Sequence, residues 1–258
     1  MRFIVLDIWG DYGHFRKFFT TSSPLTFSFP PPPTIAGMLG AVYGTDKARN
    51  EHLTLFSPES CTLSIQIRKP HKKVRMGLNL IDTKRVARGI PKKNLSPYHK
   101  GFGRTQIRTE FVREPCYRIY LSHCNPAVQG RLRGLLAAHR SIFTLSLGLS
   151  ELLANFEYVG ELEARERESP EPVEIATPVL QTQLAGQDGI MPEPEKRYFK
   201  ERIPVVMTPE RIVTHYEDVI YEATGKCMNA RLKVPYYELE NGVNITSLWP
   251  GVASGENP

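Results

Sequence analysis

The chain has 258 residues, 41% of them hydrophobic and 23% charged, with a formal net charge of +6. That describes an ordinary globular protein of one large or two modest domains, long enough to bury a core. Met1 to Trp9 begins apolar but meets Asp7 at once, too short for a signal peptide, and no uninterrupted apolar run approaches the roughly 20 residues of a membrane span, so a cytoplasmic protein with no membrane partner is expected.

Arg2 to Trp9 reads as a first strand whose nearly continuous apolar run suits a central position. Gly10-Asp11-Tyr12-Gly13 is a turn signal, and a long polar and aromatic loop follows, through His14, Phe15, Arg16 and Lys17 to Pro30-Pro31-Pro32-Pro33. Long ordered loops tend to be functional. His14 can stack on a base or contact a phosphate, and Arg16 and Lys17 can pair with phosphates. Thr34 reads as the N-cap of a helix from Ile35 to Tyr43 stopped by Gly44, and its N-terminus would offer free backbone N–H groups to an anion. Ile35, Met38, Leu39 and Val42 form one apolar stripe. Gly37, Gly40, Ala41 and Gly44 line an adjoining face, fit for close approach of another protein element or of an RNA backbone.

Cys61 to Arg68 and Glu110 to Leu121 alternate as strands. Between them lies a segment with weak periodicity, about 69–109, that reads as an extended finger inserted at a hairpin. From Arg68 to Arg113 the chain carries fourteen Lys or Arg against only Asp82 and Glu110, interrupted by the uncharged patch Met76 to Ile81. Residues 1–150 carry a net charge of +15 and residues 151–258 one of −9. One end of the molecule is built for a polyanion, most commonly nucleic acid. Arg68, Lys72, Lys73, Arg75, Arg104 and Arg108 flank the two ends of the finger and can face one strand of phosphates.

Asn125 to His139 follows as a helix, Phe143 to Leu153 is apolar with Gly148 breaking it, and Phe156 to Leu162 can supply a fourth strand. The order β, α, β, finger, β, α, β makes an α+β, ferredoxin-like (RRM-like) domain over residues 1–163. Beyond Glu163 an acidic, proline-spaced segment, Arg165 to Pro178, leads to β-like runs at Arg202 to Met207, Arg211 to Tyr221 and Val234 to Leu239. These read as a small second β-rich domain, 164–258.

Cys61, Cys116, Cys124 and Cys227 show no CxxC pair and no histidine at zinc-finger spacing. They read as reduced packing residues, and no metal or other cofactor is expected. A metal-independent ribonuclease would need a base, an acid and a cation at one phosphate, which Tyr43, His123 and the finger could supply. A Walker loop, HExxH, GxSxG and an acidic metal cluster are all lacking. A generic RRM-type module would show exposed aromatics on its central strands, where Tyr117 and Tyr120 are the residues suited to stacking.

The string Asp7-Ile8-Trp9-Gly10-Asp11-Tyr12-Gly13-His14-Phe15-Arg16-Lys17, followed by Phe29 to Ala41 with its four prolines, resembles the opening of the Cas-five family, the CRISPR-associated RAMP subunits of type I Cascade effector complexes. Arg75 to Lys84 and Arg104-Thr105-Gln106-Ile107 resemble the type I-B branch, and Ser146-Leu147-Gly148 and Ser247-Leu248-Trp249-Pro250 also fit. The resemblance implies a RAMP domain whose finger is the family's thumb. It implies a subunit that binds the five-prime handle of the CRISPR RNA and caps the backbone filament. Its partners would be backbone RAMP subunits, the large subunit and, through the complex, target DNA. The RNA-binding residues would be His14, Arg16, Lys17, Thr34, Arg68, Lys72, Lys73, Arg75, Met76, Asn79, Lys84, Arg104, Thr105, Gln106 and Arg108. Within the finger, Met76 to Ile81 can wedge between bases or pack on a neighbouring subunit. One branch of the family processes CRISPR RNA with a Tyr, a Lys and a His. Tyr43 stands where that tyrosine would fall, but His123-Cys124 replaces the Lys-His pair, so binding and not catalysis carries over, with a metal-independent endoribonuclease acting on repeat RNA as the alternative.

Overall fold

A computed structural model describes residues 1–17, 23–81, 104–186 and 188–249. The central sheet is built on β1 (Arg2–Trp9), which pairs antiparallel with β6 (Cys116–His123) on one side and β7 (Asn155–Arg167) on the other. β3 (Cys61–Ile67) pairs with β6, so the strands lie in the order β7-β1-β6-β3. The expected central place of β1 holds for a physical reason. Ile4, Leu6 and Ile8 point into the main core, while Phe3 and Val5 enter a second cluster with Tyr120, Leu239 and Ile245 on the opposite face.

Among the described residues three α-helices complete this part: α1 (Pro32–Tyr43), α2 (Glu51–Leu55) and α3 (Pro126–Ala137). Asn125 caps α3, its side-chain oxygen accepting from the Ala127 amide at 2.9 Å. α1 starts earlier than expected. Its cap is Pro31, and Pro32 and Pro33 occupy the first helical positions, so Thr34 lies inside the first turn rather than at the N-cap. Gly44 closes the helix in the left-handed conformation at φ 87°.

The expected single strand from Glu110 to Leu121 is two strands. Glu114 at φ 49° and Pro115 make a turn that separates β5 (Arg104–Arg113) from β6. β5 pairs in unbroken register with β4 (Lys72–Ile81), from Lys72 opposite Arg113 to Ile81 opposite Arg104. The short β2 (Tyr12–Gly13) adds to β5, making a separate three-stranded sheet at the edge of the core. The loop after β1 is thereby laced to the ribbon's foot, with Phe27 N donating to Phe15 O and Glu110 N to Pro24 O.

Beyond β7 come β8 (Val173–Ile175), β9 (Val179–Leu180), β10 (Ile190–Met191), β11 (Tyr198–Met207), β12 (Val213–Glu222), β13 (Met228–Ala230), β14 (Tyr236–Leu239) and β15 (Asn244–Ile245). β10-β13-β8 and β11-β12-β9 form two small sheets, while β14 pairs with the far end of β7 and extends the central sheet. The expected boundary at 163/164 falls inside β7, and Ile203, Val205, Val219, Tyr221 and Trp249 share one core with Ile4, Ile35 and Leu39. All four cysteines are free. Cys61 is buried, its thiol pushed up to about 12 by that burial, whereas Cys124 is exposed. Among the described residues no helix is long and apolar enough to cross a membrane.

Candidate nucleic-acid interface

Alternation along β4 and β5 sorts the basic segment onto two faces, because successive side chains of a strand point opposite ways. One face carries Lys73, Arg75, Gly77 and Asn79, opposite Val112, Glu110, Arg108 and Gln106. The other carries Lys72, Val74, Met76, Leu78 and Leu80, opposite Arg113, Phe111, Thr109, Ile107 and Thr105. The Met76 to Ile81 patch is therefore not one surface: Met76, Leu78 and Leu80 lie on the apolar face, Gly77 and Asn79 on the polar one. Likewise Lys72 and Lys73 cannot serve one line of phosphates. Arg75, Gly77, Gln106 and Arg108 line an open groove on the polar face, and a Cβ at Gly77 would press on Gln106 at 3.0 Å. Lys84 lies outside the described residues, and Arg104 is placed only through its backbone, opposite Ile81.

Several of the cations are held by carboxylates from distant parts of the chain. Glu201 of β11 accepts from Lys17 Nζ at 2.6 Å and from the Ser28 amide at 3.0 Å, and Lys73 Nζ lies 3.5 Å away. Burial opposes its charge, but Lys73, Lys17 and Ser28 together hold the carboxyl below its usual range. Glu110 pairs with Arg75 at 3.5 Å, leaving the Arg75 side chain 61% exposed. Arg16, Arg68 and Arg108 are exposed at the surface. Glu201 escaped sequence reasoning, although a carboxylate between Phe199 and Ile203, on an inward register, was the available signal.

Other candidates turn inward. His14 is buried, with Nδ1 2.7 Å from the Glu110 carbonyl oxygen and its ring against Phe111. Burial lowers its pKa, so it ties the loop to β5 as a neutral ring and offers no surface to a base. The anion site expected at the start of α1 does not form. Prolines 31 to 33 have no N–H, and the amides of Thr34 and Ile35 both donate to Pro31 O. Gly40 receives a protein element rather than RNA, since a Cβ there would lie 2.6 Å from His52 Cβ. Tyr117 and Tyr120 are fully buried and cannot stack on a base.

Tyr43 and His123 pack edge-on against Phe56, at 6.2 and 6.0 Å between ring centroids. His123 Nδ1 accepts from the Asn125 amide at 2.9 Å and Nε2 faces the Leu55 carbonyl at 2.8 Å, so both ring nitrogens are engaged by backbone. Arg131 lies over the Tyr43 ring at 4.4 Å. An acid–base pair at one phosphate needs at least one ring nitrogen available.

A family model described as CRISPR-associated protein (Cas_Cas5) matches residues 3–220. The chain is similar in structure to a CRISPR protein from Archaeoglobus fulgidus, at 15% identity and a TM-score of 0.53 over 95% of this chain and 97% of that one. It also matches a chain of a CRISPR RNA-guided surveillance complex at 12% identity, TM-score 0.48, over 89% and 92% of the two chains. A chain of a type III-B Cmr-beta complex bound to cognate target RNA and AMPPnP gives 12% identity and a TM-score of 0.48 over 87% and 86%. No curated protein matches the chain.

Proposed function

Because the chain belongs to the CRISPR-associated Cas5 family, we propose that it is a non-catalytic RNA-binding subunit of a cytoplasmic type I CRISPR effector complex, of the I-B branch. It holds the five-prime handle of the CRISPR RNA, caps the backbone filament beside RAMP subunits and the large subunit, and meets target DNA through the guide. The β1-α1-β3-β6-α3-β7 unit is then its ferredoxin-like RAMP domain, and the β4–β5 ribbon its thumb. The observation that carries this reading is the two-faced ribbon. A polar face with Arg75, Asn79, Gln106 and Arg108 suits phosphates and base edges, and the apolar face behind it suits a protein neighbour or a displaced base. The absence of catalysis is supported by the engagement of both His123 nitrogens and by the packing of Tyr43 under Arg131.

The test is a binding titration of the purified protein with RNA carrying the repeat-derived handle of its own locus, across a series of salt concentrations. Each single-strand phosphate contact contributes about 0.7 to the log–log salt slope. An Arg75→Ala/Arg108→Ala variant should therefore bind more weakly, with a slope lower by roughly 1.4. The RNA should be recovered intact, with or without magnesium. An unchanged slope would move the contact off the ribbon. Specific cleavage abolished by Tyr43→Phe and His123→Ala would make the protein a nuclease.

A further inference from the structure

With Tyr117 and Tyr120 buried in the core, a base stacked on this protein has to find its aromatic surface elsewhere. The acidic half of the chain supplies one. Phe199, the second residue of β11, is 51% exposed although it stands on the strand face that turns inward further along, at Glu201 and Ile203. Its ring stacks on Tyr221 with an interplanar angle of 21° and centroids 6.0 Å apart. Tyr221 is itself edge-on to Phe29 at 5.3 Å and tilted against His71 at 5.9 Å. The Tyr221 hydroxyl donates to Ser28 Oγ at 2.6 Å, so the ring beneath Phe199 is fixed. The aromatic stack thus begins in the core and ends with an open ring at the surface.

The charges beside that ring are positive on balance. Glu201 lies two residues along the same strand face, about 7 Å away, and its single carboxylate faces two ammonium groups, Lys17 and Lys73. Arg197 is exposed two residues before Phe199, its backbone held by Glu222 and Ala223 at 3.0 and 2.9 Å. Glu222 spends its own carboxylate on the amides of Arg197, Thr224 and Lys226. Lys73 also begins the polar face of the ribbon, so the open ring sits at the foot of the line Lys73, Arg75, Gly77, Asn79. Lys73 Nζ also donates to the Thr26 carbonyl at 3.0 Å, so its ammonium is held in place beside the ring. A flat apolar face next to a net positive cluster matches a base and its phosphate.

We propose that Phe199 is a stacking platform for one unpaired base of a single-stranded RNA laid along the polar face of the ribbon, with Arg197 and Lys73 receiving the adjoining phosphates. This rests on the RNA-binding reading given above and adds to it a site in the half of the chain whose net charge is negative.

The experiment compares Phe199→Ala, Phe199→Trp and Arg75→Ala/Arg108→Ala with the unaltered protein, using anisotropy titrations of a fluorescein-labelled single-stranded RNA carrying the locus repeat handle. Loss of one stacked base weakens binding about tenfold. Phe199→Ala should show that loss with an unchanged salt slope, and Phe199→Trp should bind as tightly as the unaltered protein or better. The ring is half in solvent, so a matching thermal midpoint should accompany both variants. If Phe199→Ala binds like the unaltered protein while Arg75→Ala/Arg108→Ala is weakened, the platform is wrong and the ribbon reading stands. Weakening of Phe199→Ala together with a lowered salt slope also rejects stacking, because charge contacts would then have been lost. If the unaltered protein itself fails to bind the RNA, both readings fall, and an acidic protein partner becomes the ligand to seek at this surface.

Discussion

His71 lies between Lys72 and Pro70 in a run of cations, yet it is the aromatic hub at the ribbon's foot, tilted against Tyr221 and edge-on to Tyr117. Its Nε2 donates to the Ser28 carbonyl, while Nδ1 is buried with no hydrogen-bond partner. Protonation would place a charge at Nδ1 with nothing to receive it. Burial first, and Lys73 second, push the pKa down to about 4 from an ordinary 6.5. Above 6.5 both folded and unfolded chains are neutral here. Between 6.5 and about 4 only the unfolded chain takes up the proton, so stability falls as pH drops through that window and levels off below it. His14 and His52, both lowered by burial, act in the same direction. Urea denaturation at pH 7 and pH 5 should show the protein losing on the order of 2 kcal/mol across that interval from His71 alone. His71→Gln should be visibly flatter, and equal pH dependence in the two proteins would remove the buried-neutral assignment. The same residue marks a limit of reading by neighbours in sequence. Arg16 and Lys17 beside His14 suggested a surface, whereas His14 and His71 are held by backbone carbonyls of Glu110 and Ser28 that no spacing rule brings near.

Two helices with interior glycines behave oppositely at the scale of elements. In α1 a Cβ on Gly40 would lie 2.6 Å from His52 Cβ and 2.7 Å from Thr45 Oγ1, so α2 packs where a side chain would stand. In α3 nothing lies within 4 Å of a Cβ at Gly130 or Gly134. Gly40→Ala should cost about 1–3 kcal/mol through overpacking, while Gly130→Ala and Gly134→Ala should each stabilise by about 1 kcal/mol through helix propensity. Thermal unfolding of the three variants decides it, and a neutral Gly40→Ala would mean α2 can yield. Gly37, Gly40 and Gly44 and the i, i+4 pair Gly130 and Gly134 are all visible in the sequence, but which of them faces a neighbour depends on tertiary contacts that spacing does not carry. The ribbon illustrates the converse. Its strands were present in the alternation of Lys73, Arg75, Gly77 and Asn79 with Val74, Met76, Leu78 and Leu80, and the segment read as an extended finger at a hairpin, but the density of charge hid the period that sorts its side chains onto two faces. Pro115, two residues past Arg113, was the available sign that β5 and β6 are separate strands.

At the scale of the molecule the two halves differ in charge but not in core. From Pro30 to Tyr43 there is no charged residue, and α1 buries Pro32, Pro33, Ile35, Ala36, Met38, Leu39, Gly40 and Val42, more than one stripe of the helix. A helix apolar on more than one side has to be covered on more than one side. The central sheet covers one side of α1, and Ile203 and Val205 of β11 with Val219 and Tyr221 of β12 join the same cluster from the other half. Leu248 N donates to Leu63 O at 2.8 Å and Glu201 holds Lys17, so polar ties accompany the apolar ones. A fragment of residues 1–163 would expose the outer side of α1 and half of the aromatic stack, and would take Glu201 away from Lys17. Far-UV circular dichroism during urea titration of that fragment should show no cooperative transition, and coexpression with residues 164–258 should restore one. A reversible two-state transition in the fragment alone would instead establish 1–163 as an independent folding unit. The chemistry at the ribbon's foot could then no longer depend on β11 for its geometry.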